Sequence, residues 1–286
     1  MFLGAFEIKE PVPALKRPRV LASLKPWFDA GAVGTLCLDK AESFLNARPL
    51  AALARPGRFY DFTRYRPAYH QSQNKLELLI PNASFYFSIR EGEQDLIFFH
   101  VREPNLRGEE LIESILEVFN YFEVSEYTVI GGMYDLVPHT RPLLLSHWDD
   151  QIDGEDAVPP ISALYQAEQR PASILELVTR YAAASGVATK TVAVHLPGYL
   201  EIPKNWMGVA RLQEFICEDY GLPTSWPEHR QAEELYQNSE TYLEKIRDVP
   251  ELVSRLEEVY DNWQRSTKAS CLPLYPAVER FLRELA

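Results

Sequence analysis

An acid, an imidazole and a guanidinium fall close together in the segment VIGGMYDLVPHTRPLLL, Val129 to Leu145. Gly131 and Gly132 are expected to end a strand there, permitting backbone angles closed to other residues. His139 and Arg141 can bind an anion together, Arg141 through its planar fork and His139 through a donor of tunable charge. Asp135 can orient either one. A loop of this composition serves equally as a structural turn or a subunit contact, and the residues alone leave both readings open.

Two further histidines sit where ligands gather in open α/β sheets. His100 closes the apolar run DLIFFH and His195 ends TVAVH, so both are expected near the C-terminal ends of parallel strands. The alternative for each is a buried, satisfied histidine. The turn DAGAVGT brings Gly31 and Gly34 to the entrance of a helix, where free N–H groups and the helix dipole can receive an anion, unless the glycines serve only to reverse the chain.

Other chemistries find little support. No phosphate-binding loop of the GxxxxGK[ST] type, no GxSxG elbow and no full dinucleotide fingerprint is present. Histidine and cysteine spacings fit no zinc site. In the acidic loop Asp149 to Pro160, Gln151 and Pro160 stand where a calcium loop needs ligands. Neither metal nor cofactor is expected, and no catalytic residue is assigned.

The elements that must position these residues alternate strand and helix. Arg17–Leu24 reads as a short strand leading to a helix with Val33, Leu36, Leu38, Ala41 and Leu45 on its apolar face. Lys75–Ile80 and Phe85–Arg90 read as two strands around a Pro-Asn turn. Asp95–Val101 is a buried strand. It is followed by a helix over 109–122 that turns Leu111, Ile112, Ile115, Leu116, Phe119 and Phe122 inward and Glu110, Glu113, Ser114 and Glu117 outward. The strand EYTVIGG completes a β-α-β unit. Ser173 and Glu176 stand at capping-box spacing before another helix stopped by Gly186. Thr189–Pro197 is the last strand, followed by NWMGVARLQEFICEDYGLP as a helix of about four turns. From about Trp226 strand signals vanish. Asp248 and Glu251 around Pro250 start a helix with a seam at Leu252, Leu256, Tyr260 and Trp263, and a last helix runs from Val278 to Leu285. The pattern predicts an α/β fold, a three-layer α/β/α sandwich on a mainly parallel sheet over 1–225, with a helical C-terminal region over 226–286.

Composition narrows the partners. A net charge of −12 opposes general binding to polyanions, so no nucleic-acid partner is expected. The one basic, aromatic stretch, RPGRFYDFTRYRPAYH (Arg55 to His70), suits a structural or subunit-interface role better than base stacking. No apolar run approaches the ~20 residues of a membrane helix, so no membrane partner is expected. The N-terminal residues lack the pattern of a signal peptide. Cys37, Cys217 and Cys271 are scattered among apolar neighbours, as reduced buried thiols in a cytoplasmic protein are.

Taken in order, WFDAGAVGTLCL, FYDFTRYRP, DLIFFHVREP, IGGMYDLVPHTRP and AVHLPGYL resemble the prokaryotic branch of the proteasome assembly chaperone family, second type. The PHTRP block is the most specific of these motifs, and the resemblance spans most of residues 1–265. It implies an α/β/α sandwich similar to the purine nucleoside phosphorylase and hydrolase-like fold, an oligomer, and a binding or assembly role with no assigned reaction. Two departures accompany it. The family's YQGP element reads YQAEQRP here, Tyr165 to Pro171, and the chain ends RELA, without the penultimate tyrosine of ring-docking chaperones. The expectation is a self-associating binding protein. The alternative is a phosphorylase- or hydrolase-like enzyme for a small anionic or nucleoside-like ligand, its cleft lined by Gly31, Gly34, His100, Gly131, Gly132, Asp135, His139, Arg141 and His195.

Overall fold

A computed structural model describes residues 1–72, 75–148, 172–222, 247 and 249–267. Its centre is a nine-stranded sheet in the order β1-β2-β4-β7-β8-β3-β9-β11-β10. The strands are β1 (Phe2–Leu3), β2 (Phe6–Ile8), β3 (Arg19–Lys25), β4 (Arg48–Leu53), β7 (Ser84–Ser88), β8 (Leu96–Arg102), β9 (Glu126–Asp135), β10 (Leu145–Trp148) and β11 (Ala188–Pro197). The four inner strands β8, β3, β9 and β11 run parallel, and antiparallel strands flank them on both sides. A separate hairpin pairs β5 (Ala68–Ser72) with β6 (Lys75–Leu79).

The inner strands alternate between two apolar clusters, as a sheet covered on both faces requires. Val20, Ala22, Ile97, Phe99, Tyr127 and Val129 pack beneath α2 (Gly108–Tyr121) and α3 (Ile174–Ala184). Leu21, Phe98, Ile130, Val192 and Val194 pack beneath α1 (Val33–Phe44) and α4 (Trp206–Tyr220). This is the three-layer α/β/α sandwich. Phe85 and Phe99 stack across β7 and β8 with centroids 4.0 Å apart. The expected capping box opens α3: Ser173 Oγ accepts from the Glu176 N–H, and the Glu176 carboxylate accepts from the Ser173 N–H. Such a cap contributes about 1 kcal/mol.

Three local expectations change. The glycine pair does not end β9; parallel pairing with β11 continues from Gly131↔Ala193 to Asp135↔Pro197. Ser114, on the polar side of α2 by periodicity, is buried, because the turn between β1 and β2 lies on it and the Ala5 N–H donates to its hydroxyl at 3.0 Å. The C-terminal helix α5 (Pro250–Thr267) buries Val253, Leu256 and Tyr260, with Leu252 only half-buried, so its seam is turned from the one expected. The YQAEQRP element, the acidic loop from Asp149, the side chain of Trp263, the helix from Val278 and the boundary near 226 all lie outside the described residues.

Candidate functional site

The turn after β3 carries the first candidate. Segment 28–29 crosses β9 so closely that Gly132 N–H donates to Phe28 O and Asp29 pairs with Gly132 as a parallel bridge. A Cβ at Gly131 would lie 2.0 Å from Phe28 O, and one at Gly132 would lie 2.4 Å from Val33 Cγ2. A Cβ at Gly34 would meet Ile130 O and Ser23 Oγ, both at 2.8 Å. Only Gly31 needs its glycine for conformation, at φ +58°, and there Asn205 fills the space while its N–H donates to Gly31 O at 2.8 Å. These four glycines form a packing joint between the turn and β9.

The anion that this turn receives is its own. The Asp29 carboxylate accepts from the Thr35 N–H at 3.0 Å and from the Thr35 hydroxyl at 2.6 Å. Burial pushes the Asp29 carboxyl above its ordinary range, and the Thr35 hydrogen bonds work against that rise.

The PHTRP loop meets α5. Arg141 presents its fork to two carboxylates, with Nε and Nη2 donating to Asp261 at 3.0 and 2.8 Å and Nη1 donating to Glu257 at 2.9 Å. The Thr140 hydroxyl donates to Glu257, and the Tyr260 hydroxyl donates to Pro142 O at 3.0 Å. A guanidinium so engaged is a poor receptor for an outside anion. His139 turns the other way: its N–H donates to the Tyr199 hydroxyl at 2.8 Å, and its Nδ1 lies 2.6 Å from the same oxygen. Burial holds the His139 imidazole below its ordinary pKa, which favours the neutral ring accepting the phenol's proton.

His100 lies on the α1/α4 side of the sheet, bonded to Glu42 of α1, with Asp39 Oδ1 at 3.9 Å and the Tyr86 ring edge-on. His195 lies on the opposite side, fully buried, with Nδ1 2.7 Å from Asp135 Oδ2 and Nε2 2.8 Å from Ser146 Oγ of β10. The predicted residues therefore separate into four groups: the glycine joint with Asp29, the His100–Glu42 pair, the loop bound to α5, and the Asp135–His195 pair. Among the described residues no group of His, Cys, Asp and Glu side chains converges as metal ligands.

Several partners left no local mark in the sequence: Ser146, Glu257, Asp261, and a network at the opposite ends of the strands. There Arg19 bonds Glu126 and Asp219 at 2.6 Å each and lies 3.7 Å over the Tyr220 ring, while Lys190 reaches Asp219 at 3.2 Å. The aromatic stretch from Arg55 divides as well. Phe59 and Tyr60 enter the core, while Arg55, Arg58, Arg64 and Arg66 stay exposed.

The fold is similar to that of several solved structures. A protein of unknown function from Corynebacterium glutamicum superposes with a TM-score of 0.76 at 19% identity, covering 91% of this chain and 98% of its own. A Mycobacterium tuberculosis protein of unknown function gives 0.76 at 21% identity, covering 93% and 92%. A proteasome-assembly chaperone homologue, also from M. tuberculosis, gives 0.63 at 19% identity, covering 79% of this chain and 99% of its own. No curated protein sequence matches the chain significantly. The sequence model of the PAC2 family matches residues 23–248, and with most of its length inside that match the chain belongs to the PAC2 family.

Proposed function

We propose that the protein acts by binding protein, in the first place a second copy of itself, as an assembly-chaperone-like member of its family. One observation carries this reading. The hairpin β5–β6 stands apart from the main sheet, and Tyr69, Leu76, Leu78, Leu79 and Ile80 on and beside it are 46–70% exposed. The register pairs Tyr69 with Leu78 and Gln71 with Leu76, which gathers Tyr69, Leu76 and Leu78 on one face. A lone two-stranded ribbon is marginal in water, and contiguous apolar patches on soluble chains commonly mark contact surfaces. The chaperone homologue of the same fold supports the class of function. Arg141 and His139, the side chains offered for an anion, are engaged with other parts of the chain, which weighs against the phosphorylase-like alternative. Cys37 and Cys217 lie buried in one apolar cluster, in keeping with a cytoplasmic setting. In sedimentation velocity, wild-type protein is expected to sediment as an oligomer and the Leu76→Ser/Leu78→Ser variant as a folded monomer. A double variant that associates like wild type would overturn the role of the hairpin.

A further inference from the structure

We propose that Ser146, His195 and Asp135 form a nucleophilic triad for acyl transfer, with carboxylic esters or similarly activated acyl donors as the substrate class. Register places the three together. On β11, Val192, Val194 and Leu196 face α1 and α4, so Ala193 and His195 face the α2/α3 side. Ser146 stands opposite Ala193, so its hydroxyl reaches His195 on the diagonal. Asp135 lies on the same side of β9 as Gly131 and Met133, opposite Pro197. All three therefore sit toward the C-terminal ends of the parallel strands, where open α/β sheets place reacting groups.

The polarity of the hydrogen bonds is the one nucleophilic catalysis needs. Asp135 Oδ1 accepts from the Leu136 N–H at 2.7 Å, which fixes the carboxylate. Its Oδ2 then lies 2.7 Å from His195 Nδ1 and takes that proton as a hydrogen bond. Nε2 of the neutral ring is left with a lone pair, so the Ser146 hydroxyl, at 2.8 Å, donates to it. The His195 N–H donates to Leu144 O at 2.9 Å, tying the base's backbone to the approach to β10. His195 and Asp135 are buried, while Ser146 is half-buried on the edge strand β10. This is the arrangement of nucleophile, base and orienting acid that recurs on unrelated folds. Ser146 lies within an edge strand and not in a GxSxG elbow, which is why no motif announces it.

In the reaction Ser146 Oγ bonds to the acyl carbon as its proton passes to His195 Nε2, with Asp135 stabilising the imidazolium. The bond from carbon to the leaving alkoxide breaks, and the alkoxide takes the proton from Nε2. Water, deprotonated by the same nitrogen, then releases the acid and restores the serine. A fluorophosphonate probe tests the first half of this sequence, forming an Oγ–P bond as fluoride leaves. Intact protein incubated with the probe is expected to gain one adduct, mapped by peptide mass spectrometry to Ser146. Ser146→Ala should abolish that adduct, and Asp135→Asn, if folded by circular dichroism, should slow it at least 100-fold. Because Ser146 is half-buried on an edge strand, Ser146→Ala is the variant least exposed to misfolding. Absence of a Ser146 adduct on folded wild-type protein overturns the proposal, as does labelling of heat-unfolded protein at an equal rate. A Ser146→Cys variant gives a second reading: next to His195 its thiol should react with iodoacetamide at pH 6 at least 10-fold faster than free cysteine. Reaction no faster than free cysteine would also count against the triad.

Discussion

Replacing Gly131 by alanine inverts an ordinary expectation. In a strand interior alanine is favoured over glycine by roughly 0.5–1 kcal/mol, and no positive φ opposes the change. Here the new Cβ would lie 2.0 Å from Phe28 O and 2.3 Å from Cδ1 of the Phe28 ring. Backbone and ring must both retreat by more than about 1 Å to restore ordinary contact. That movement breaks the 3.3 Å hydrogen bond from Gly132 N–H to Phe28 O. Overpacking costs about 1–3 kcal/mol and the lost hydrogen bond about 1 kcal/mol. Set against the gain in strand propensity, the net loss is about 2 kcal/mol, or roughly 3 °C in melting temperature for a chain of this size. Thermal unfolding followed by circular dichroism, with a urea titration alongside, measures it. Gly108→Ala is the control, since a Cβ there meets only Ile174 Cδ1 at 3.7 Å at the start of a helix. It should be neutral or stabilising by up to ~1 kcal/mol. A Gly131→Ala protein melting at or above wild type would refute the packing joint.

Removing the Arg141 fork with Arg141→Ala should raise amide hydrogen exchange across α5 several-fold while β8 and β9 keep their protection; unchanged exchange in α5 would show that the helix is held by its apolar seam alone. His139 supplies a pH dependence. Its folded pKa lies below the ordinary 6.5, so the unfolded chain binds the proton more readily. Its contribution is therefore present above the unfolded value and is lost as pH falls from about 6.5 through the lower folded value. In urea unfolding at pH 7.5 and pH 5.5, His139→Gln should lose part of the wild-type drop in stability, and an identical drop would exclude His139 as a source.

What the sequence could tell depended on distance along the chain. Helix α2 was legible because its apolar positions recur with helical spacing, and the capping box of α3 because its partners are three residues apart. β1, β2, β4 and β10 carry no comparable mark, because they are short or flank the parallel core, where pairing depends on neighbours far away. Ser114 shows periodicity overruled by a remote turn that covers one helix face. At the site, the residue types at Asp135, His139, Arg141 and His195 were visible, but their meaning rests on partners elsewhere. Glu257 and Asp261 lie 116 and 120 residues beyond Arg141, and Ser146 lies 49 residues before His195. No local pattern encodes such pairings, so an arginine that looked like an anion receptor is a clasp for a helix.

That clasp has a consequence for biosynthesis. Arg141 leaves the ribosome 116 residues ahead of Glu257. At roughly 5–20 residues per second this is an interval of roughly 6–23 seconds. In about the second half of it the inner strands β3, β8, β9 and β11 can assemble, since all end by Pro197, while the loop after β9 still awaits its carboxylates. The nascent domain therefore presents the Arg141 guanidinium without these two carboxylates until α5 emerges. Nascent chains arrested before residue 250 should leave that guanidinium open to an arginine-directed dicarbonyl reagent, and those arrested well beyond residue 267 should protect it.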